Sequence, residues 1–213
     1  MSENFTYETN NTEKLETYEW DNLWWEYAND TTKKDRILLI GDSISCGYRG
    51  LVNKELKGKI YADGLGTSKA LDNPSFFPLI SYVTSQQQNC RLIQFNNGLH
   101  GWHLSLEEYK EYYQKMVSFL RESYPEKVLI LALTTPARNS KDLHKLDARN
   151  DEVLLRNQAV LEIAKNNNLP VNDMYAPLID HSEYFSPDGI HLTAEGYQLL
   201  ASQCVELFSN YLR

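Results

Sequence analysis

Three residues in this chain have the types and spacing that nucleophilic acyl chemistry uses: Ser43, Asp188 and His191. Ser43 stands in "RILLIGDSISCGYRG", residues 36–50, where a run of apolar β-formers stops at Gly41-Asp42-Ser43. A serine hydroxyl is a weak nucleophile near neutral pH and needs an adjacent base. Histidine suits that role because it exchanges its proton near the working pH. A carboxylate on its second nitrogen then holds it in one tautomer. "SPDGIHLTAEG" supplies both partners, Asp188 and His191, three positions apart with Gly189 between them to ease a turn. In a helical turn, or a bend of similar curvature, that spacing puts both side chains on one side. An Asp-x-x-His alone is common. Its pairing with Gly-Asp-Ser at a strand end is much more specific.

The elements that must position these residues follow from periodicity. Apolar runs over 36–40, 59–62, 91–95, 127–133 and 169–175 read as strands. Between them lie amphipathic patterns. "SLEEYKEYYQKMVSFLRESY" opens on a capping box, Ser105 with Glu108, and aligns Tyr109, Tyr112, Tyr113, Met116, Val117 and Leu120 on one face. Residues 152–168 end in an asparagine cluster suited to a C-cap, residues 193–212 carry a stripe from Tyr197 to Tyr211, and a shorter helix is expected over 75–88. Continuous apolar strands alternating with such helices predict an α/β domain whose parallel sheet is covered on both faces. Ligands of such sheets bind outside the carboxyl ends of the strands. Ser43, the segment "NNGLHGWH" with Asn97 and His100, and "TTPARN" with Arg138 all follow strands there.

"LLIGDSIS" and "SPDGIHLTAEGY" resemble the first and last blocks of the SGNH, or GDSL-type, hydrolases, and the resemblance runs over residues 36–208. It implies a flavodoxin-like three-layer α/β/α sandwich with a five-stranded parallel sheet, and an esterase working through an acyl-enzyme. It carries over Ser43 as nucleophile, His191 as general base and Asp188 as the carboxylate that orients it. The family adds a glycine and an asparagine to the nucleophile's own N–H to form the oxyanion hole. Here the third block departs: His100 stands where the asparagine belongs when Gly98 is aligned. The donor is therefore expected between Asn97 and His100, with Asn96 a further alternative. Gly66, in "ADGLGTS", is the expected glycine. Arg138 is read either as a holder of a polar substrate group or as a loop arginine paired with an acid. "NGLHGWHLS" and "TTPAR" are similar to the acetyl-esterase-like branch that acts on carbohydrates.

Other chemistry is less well supported. An α/β-hydrolase would place Gly-x-Ser-x-Gly in mid-chain and its histidine far from its aspartate. Cys46 reads as a packing residue beside the bend. His100 and His103 lack a third metal ligand at a suitable spacing, and no metal or organic cofactor is expected. The alternative from another class is a non-catalytic or small-molecule-binding flavodoxin-like module, against which an acidic Asp42 in the first loop would repel phosphate.

The whole chain sets the frame. At 213 residues, 42% hydrophobic and 23% charged, it suits one substantial domain, with 31–213 as the hydrolase domain and 1–30 as an arm whose Trp-rich segment packs on it. That segment, "WDNLWWEYAND", is read as the cover of an apolar flank, with a carbohydrate platform or a homo-oligomer contact as the alternatives. A net charge of −8 argues against nucleic acid and anionic membranes as partners. A small-molecule or carbohydrate ester is the partner expected. Three cysteines at unrelated spacings point to reduced thiols. With no apolar leader or membrane-length apolar run, the expectation is a cytoplasmic protein.

Overall fold

The computed structural model describes residues 15–87 and 89–212. Eight strands and five helices follow in the order β1 (Asp21–Trp24), β2 (Arg36–Gly41), α1 (Ser43–Leu56), β3 (Tyr61–Thr67), α2 (Phe76–Gln86), β4 (Cys90–Phe95), α3 (Leu106–Ser123), β5 (Val128–Ala132), β6 (Arg138–Asn139), β7 (Asp142–Leu146), α4 (Asn150–Asn167), β8 (Val171–Asn172) and α5 (Ala194–Ser209). The main sheet has the order β1-β3-β2-β4-β5-β8. Every pairing in it is parallel except β1 with β3. The five parallel strands therefore run 2-1-3-4-5 in chain order, the flavodoxin-like winding, which reverses direction between β2 and β4. The sheet has six strands where five were expected. Asp21–Trp24, inside the Trp-rich segment, pairs antiparallel with the edge of β3, and its mixed polar and aromatic composition hides it from a search for apolar runs.

The strand β2 explains the layering. Its side chains alternate between the two faces: Leu38 and Ile40 join the core under α2, α3 and much of α4, while Ile37 and Leu39 join the core under α1 and α5. Both faces are thus buried, which is why the strand reads as a continuous apolar run and not as an alternation. The expected helices over 75–88, 105–124, 152–168 and 193–212 correspond to α2, α3, α4 and α5. Asn168 closes α4 in the left-handed conformation at φ 52°, and the Ser105–Glu108 capping box starts α3. The strand expected over 169–175 is reduced to the two residues of β8. The small hairpin β6–β7 after β5 has no apolar pattern to announce it, since Asp142, His144 and Lys145 face outward or lie half-buried.

Candidate active site

At the carboxyl end of β2 the chain turns directly into α1. Gly41 allows this because a Cβ there would lie 2.9 Å from that of Ser45. Asp42 is the N-cap: its Oδ1 accepts the Ile44 N–H at 2.9 Å, and its carbonyl accepts the Ser45 hydroxyl at 2.7 Å. Ser43 is consequently the first residue of α1, where its N–H has no acceptor within the helix and the helix dipole favours negative charge. Burial pushes the Asp42 carboxyl up, opposed first by the His100 imidazole and then by the Ile44 N–H and His191. His191 reaches the start of α1 through Ser43.

Asp188 and His191 come from the loop that ends at Thr193, the N-cap of α5. The loop folds on itself: the Ser186 N–H donates to His191 O at 2.8 Å and the Gly189 N–H to Ser186 O at 2.9 Å. Asp188 Oδ1 accepts from the Ser186 hydroxyl and from the N–H groups of Ile190 and His191. This leaves Oδ2 for His191 Nδ1 at 2.7 Å, while His191 Nε2 lies 2.9 Å from Ser43 Oγ. Burial raises the Asp188 pKa, but the hydrogen bonds from Ile190, His191 and Ser186 outweigh it and hold the carboxyl well below its ordinary value. The carboxylate is thus ionised whenever a histidine base is functional.

The remaining expected residues divide. Gly66 lies in β3 between β1 and β2, and the space its missing Cβ leaves is filled by Cys46 Sγ, 2.2 Å from where that carbon would sit. Asn96 uses both amide hydrogens, donating to Ala132 O at 2.8 Å and Thr134 Oγ1 at 3.2 Å, so it has no donor left for a substrate. Asn97 is buried and donates to Lys69 O at 2.8 Å, while its carbonyl oxygen on the backbone accepts from Tyr109. His100 stays partly exposed, its ring edge-on to Trp20 with centroids 6.5 Å apart and Nδ1 3.6 Å from Glu16 Oε1. Arg138 is buried with its guanidinium turned to the backbone carbonyls of Leu143 and Ile179. Among the described residues no acid forms an ion pair with it, and the guanidinium is engaged by these carbonyls. Its backbone matters more: the Arg138 N–H donates to Gly189 O at 2.8 Å and so anchors the loop of Asp188 and His191.

Two supports escape sequence reading. Arg156, on α4 and only 1% exposed, donates to the carbonyls of Gly98, His100 and Gly101 at 3.1, 2.7 and 2.8 Å, and Glu152 balances its charge at 2.6 Å. Glu16 accepts the Gly101 N–H at 2.9 Å. Together they fix the loop that carries His100. An arginine in a polar helical pattern gives no sign of such burial, because the loop it gathers lies more than fifty positions away.

Residues 95–199 match the family model described as the GDSL-like Lipase/Acylhydrolase family, a span that holds His100, Asp188 and His191 but not Ser43. No curated protein matches the chain in sequence. Among solved structures, an acetyl xylan esterase superposes with a TM-score of 0.66 at 15% identity, over 81% of this chain and 98% of that one. A GDSL-like lipase from Bacteroides thetaiotaomicron does so with a TM-score of 0.67 at 16% identity, over 86% and 92%. A lipase/acylhydrolase from Enterococcus faecalis gives 0.63 at 19%, over 84% and 97%. With this family match, and with Gly-Asp-Ser brought against Asp-x-x-His at the switch point of the same fold, the chain is similar to the GDSL-type, or SGNH, hydrolases of ester bonds.

Proposed function

We propose that the protein is a serine esterase that removes short acyl groups, acetyl above all, from carbohydrate esters by way of an acyl-enzyme. The observation that carries this is the continuous relay from Ser43 Oγ to His191 Nε2 at 2.9 Å and from His191 Nδ1 to Asp188 Oδ2 at 2.7 Å. Ser43 Oγ attacks the ester carbonyl carbon as its proton passes to His191 Nε2. The tetrahedral intermediate collapses, and His191 returns that proton to the departing alcohol. Water then gives a proton to His191 while attacking the acyl carbon, and Ser43 leaves with that proton, releasing the carboxylic acid. Asp188 stabilises the imidazolium in both halves and remains a carboxylate.

The developing oxyanion is received by the Ser43 N–H at the head of α1, with His100 as the side-chain donor and Asn97 shaping the loop behind it. His100 is favoured over Asn96 because the Asn96 amide is fully engaged, and over Asn97 because Asn97 is buried with its amide on Lys69 O while His100 is partly exposed. Gly66 contributes the clearance that lets the Asp42–Cys46 turn sit on β3. The acetyl xylan esterase among the structural relatives agrees with an acetylated sugar as substrate.

Hydrolysis of p-nitrophenyl acetate tests the reading. Ser43→Ala is expected to lower kcat by at least about a thousandfold, and His191→Ala by a similar factor, because the members act as a unit. Near wild-type turnover by Ser43→Ala would dismiss Ser43 as nucleophile, and activity confined to long acyl chains would dismiss the acetyl preference.

A further inference from the structure

The nucleophile heads a helical face that leads into an open groove. Cys46, Gly47, Gly50 and Lys54 stand three, four, seven and eleven positions after Ser43, the spacing of a single face of α1. These four residues, with Trp24, Glu26, Arg49 and Leu51, line a groove of about 350 Å³. At 1.5 Å per residue the face runs about 16 Å from Ser43 to Lys54.

Arg49 is set into one wall. It is 7% exposed and lies flat on β3, where Gly64 makes room for it: a Cβ at Gly64 would come within 2.5 Å of the guanidinium. The guanidinium also sits 5.4 Å from the Trp24 ring centroid. The Trp24 indole, 49% exposed, is itself held by Glu26 Oε2, which accepts from its Nε1 at 2.8 Å and from Asn53 at 3.2 Å. Yet Arg49 has no carboxylate partner among the described residues. Its hydrogen bonds reach one neutral acceptor, Asn22 Oδ1, at 3.3 and 3.4 Å. Arg156 has Glu152 and three carbonyls, and Arg36, half-buried, has Asp63 at 2.6 Å. Arg138, buried like Arg49 without an ion pair among the described residues, is met by the backbone carbonyls of Leu143 and Ile179, whereas Arg49 has only the Asn22 side chain. Burying a cation without a counter-charge is costly, and here it happens in a protein of net charge −8.

The floor of the groove gives a second, independent sign. Gly50 sits in the middle of α1, where glycine costs about 1 kcal/mol relative to alanine. Nothing in the fold accounts for it: a Cβ there would meet no atom within 4 Å, whereas Gly47 is required by the Tyr197 ring. Gly50 is exposed, and it leaves this part of the groove floor bare of side chain.

We propose that this groove binds the alcohol side of the ester, and that its occupant is a saccharide bearing a carboxylate, a uronic acid residue seated on Trp24 with its carboxylate on Arg49 and Lys54. This rests on the esterase reading of Ser43 and extends it to the substrate. Glu26 lies in the same groove as the acceptor that orients Trp24 and selects against a second carboxylate nearby.

Calorimetric titration of Ser43→Ala protein with an oligoglucuronate, and with its carboxyl-reduced neutral counterpart, tests the groove without turnover. The acidic glycan is expected to bind at least tenfold more tightly, with affinity falling as salt is raised. Arg49→Met, which keeps the stem and removes the charge, is expected to abolish that preference. In active enzyme, Gly50→Phe is expected to lower kcat/KM for an acetylated acidic oligosaccharide at least tenfold more than for p-nitrophenyl acetate. Gly50→Ala is expected to raise the Tm, which shows that the position tolerates a side chain. Equal binding of acidic and neutral glycans, or a preference that survives Arg49→Met, overturns the proposal while the esterase reading stands on Ser43→Ala and p-nitrophenyl acetate. Acidic-glycan binding in a protein whose Ser43→Ala variant still turns over supports the groove and removes the nucleophile.

Discussion

Gly189 shows how one residue holds two functional side chains in place. It adopts φ +75°, and a Cβ added there would lie 2.1 Å from Arg138 O, a backbone atom that cannot move aside cheaply. Positive φ costs a non-glycine residue roughly 1–3 kcal/mol where the surroundings enforce it. The clash adds to that and pushes the Asp188–His191 loop off β6. Gly189→Ala is therefore expected to lower the urea midpoint of unfolding and to cut kcat for p-nitrophenyl acetate by tenfold or more with KM little changed. Full activity in a destabilised variant would mean that the loop keeps its place without the glycine.

Among the elements, α4 works at a distance. Its Arg156 collects three carbonyls of the 98–101 loop, and its charge is balanced by Glu152 on the same helix while Trp102 and Tyr109 face its guanidinium at 4.6 and 4.7 Å. A lysine offers a point charge in place of a planar fork and cannot reach three divergent carbonyls at once. Arg156→Lys is expected to lose stability by about 3 kcal/mol, in the range for disrupting a buried ionic network. Because His100 rides on the gathered loop, kcat should fall as well, while burst amplitude and active-site titre stay stoichiometric. An equally stable variant with unaltered kcat would assign Arg156 to neither task.

At the scale of the molecule, the two faces of the sheet seal two thiols inside. Burial pushes the Cys90 and Cys204 thiols up to about 12. In the unfolded chain they titrate near 8.5. Folded pKa values above the unfolded ones mean that the stability they permit is complete below about pH 8.5 and is lost as pH rises towards 12. Cys46 is only partly buried beside Ser43. With Ellman's reagent at pH 8, one thiol is expected to react in the native protein and the other two only at the rate of global unfolding. Three equally fast thiols would show that the helical layers open locally.

Chain pattern alone determined the parts that depend on local rules. Apolar runs marked β2, β4 and β5 because strands buried on both faces are mostly apolar, while β3, buried throughout but carrying Asp63 and Thr67, was marked only at its start. Ser105 with Glu108 marked the start of α3, and the residue types at Ser43, Asp188 and His191 marked the chemistry. The helix α1 was legible only as what must follow Ser43, since its glycines and scattered polar residues blur the 3.6-residue period. The edge strand β1 and the hairpin β6–β7 were hidden because neither has an apolar face of its own. What only the tertiary structure decided are relations between distant segments: the approach of His191 to Ser43, the capture of the 98–101 loop by Arg156, and the alignment of Arg49, Trp24 and Gly50 along one groove. A hydrogen bond or a missing counter-charge is a property of a pair, and the chain names each partner without saying which residues will meet.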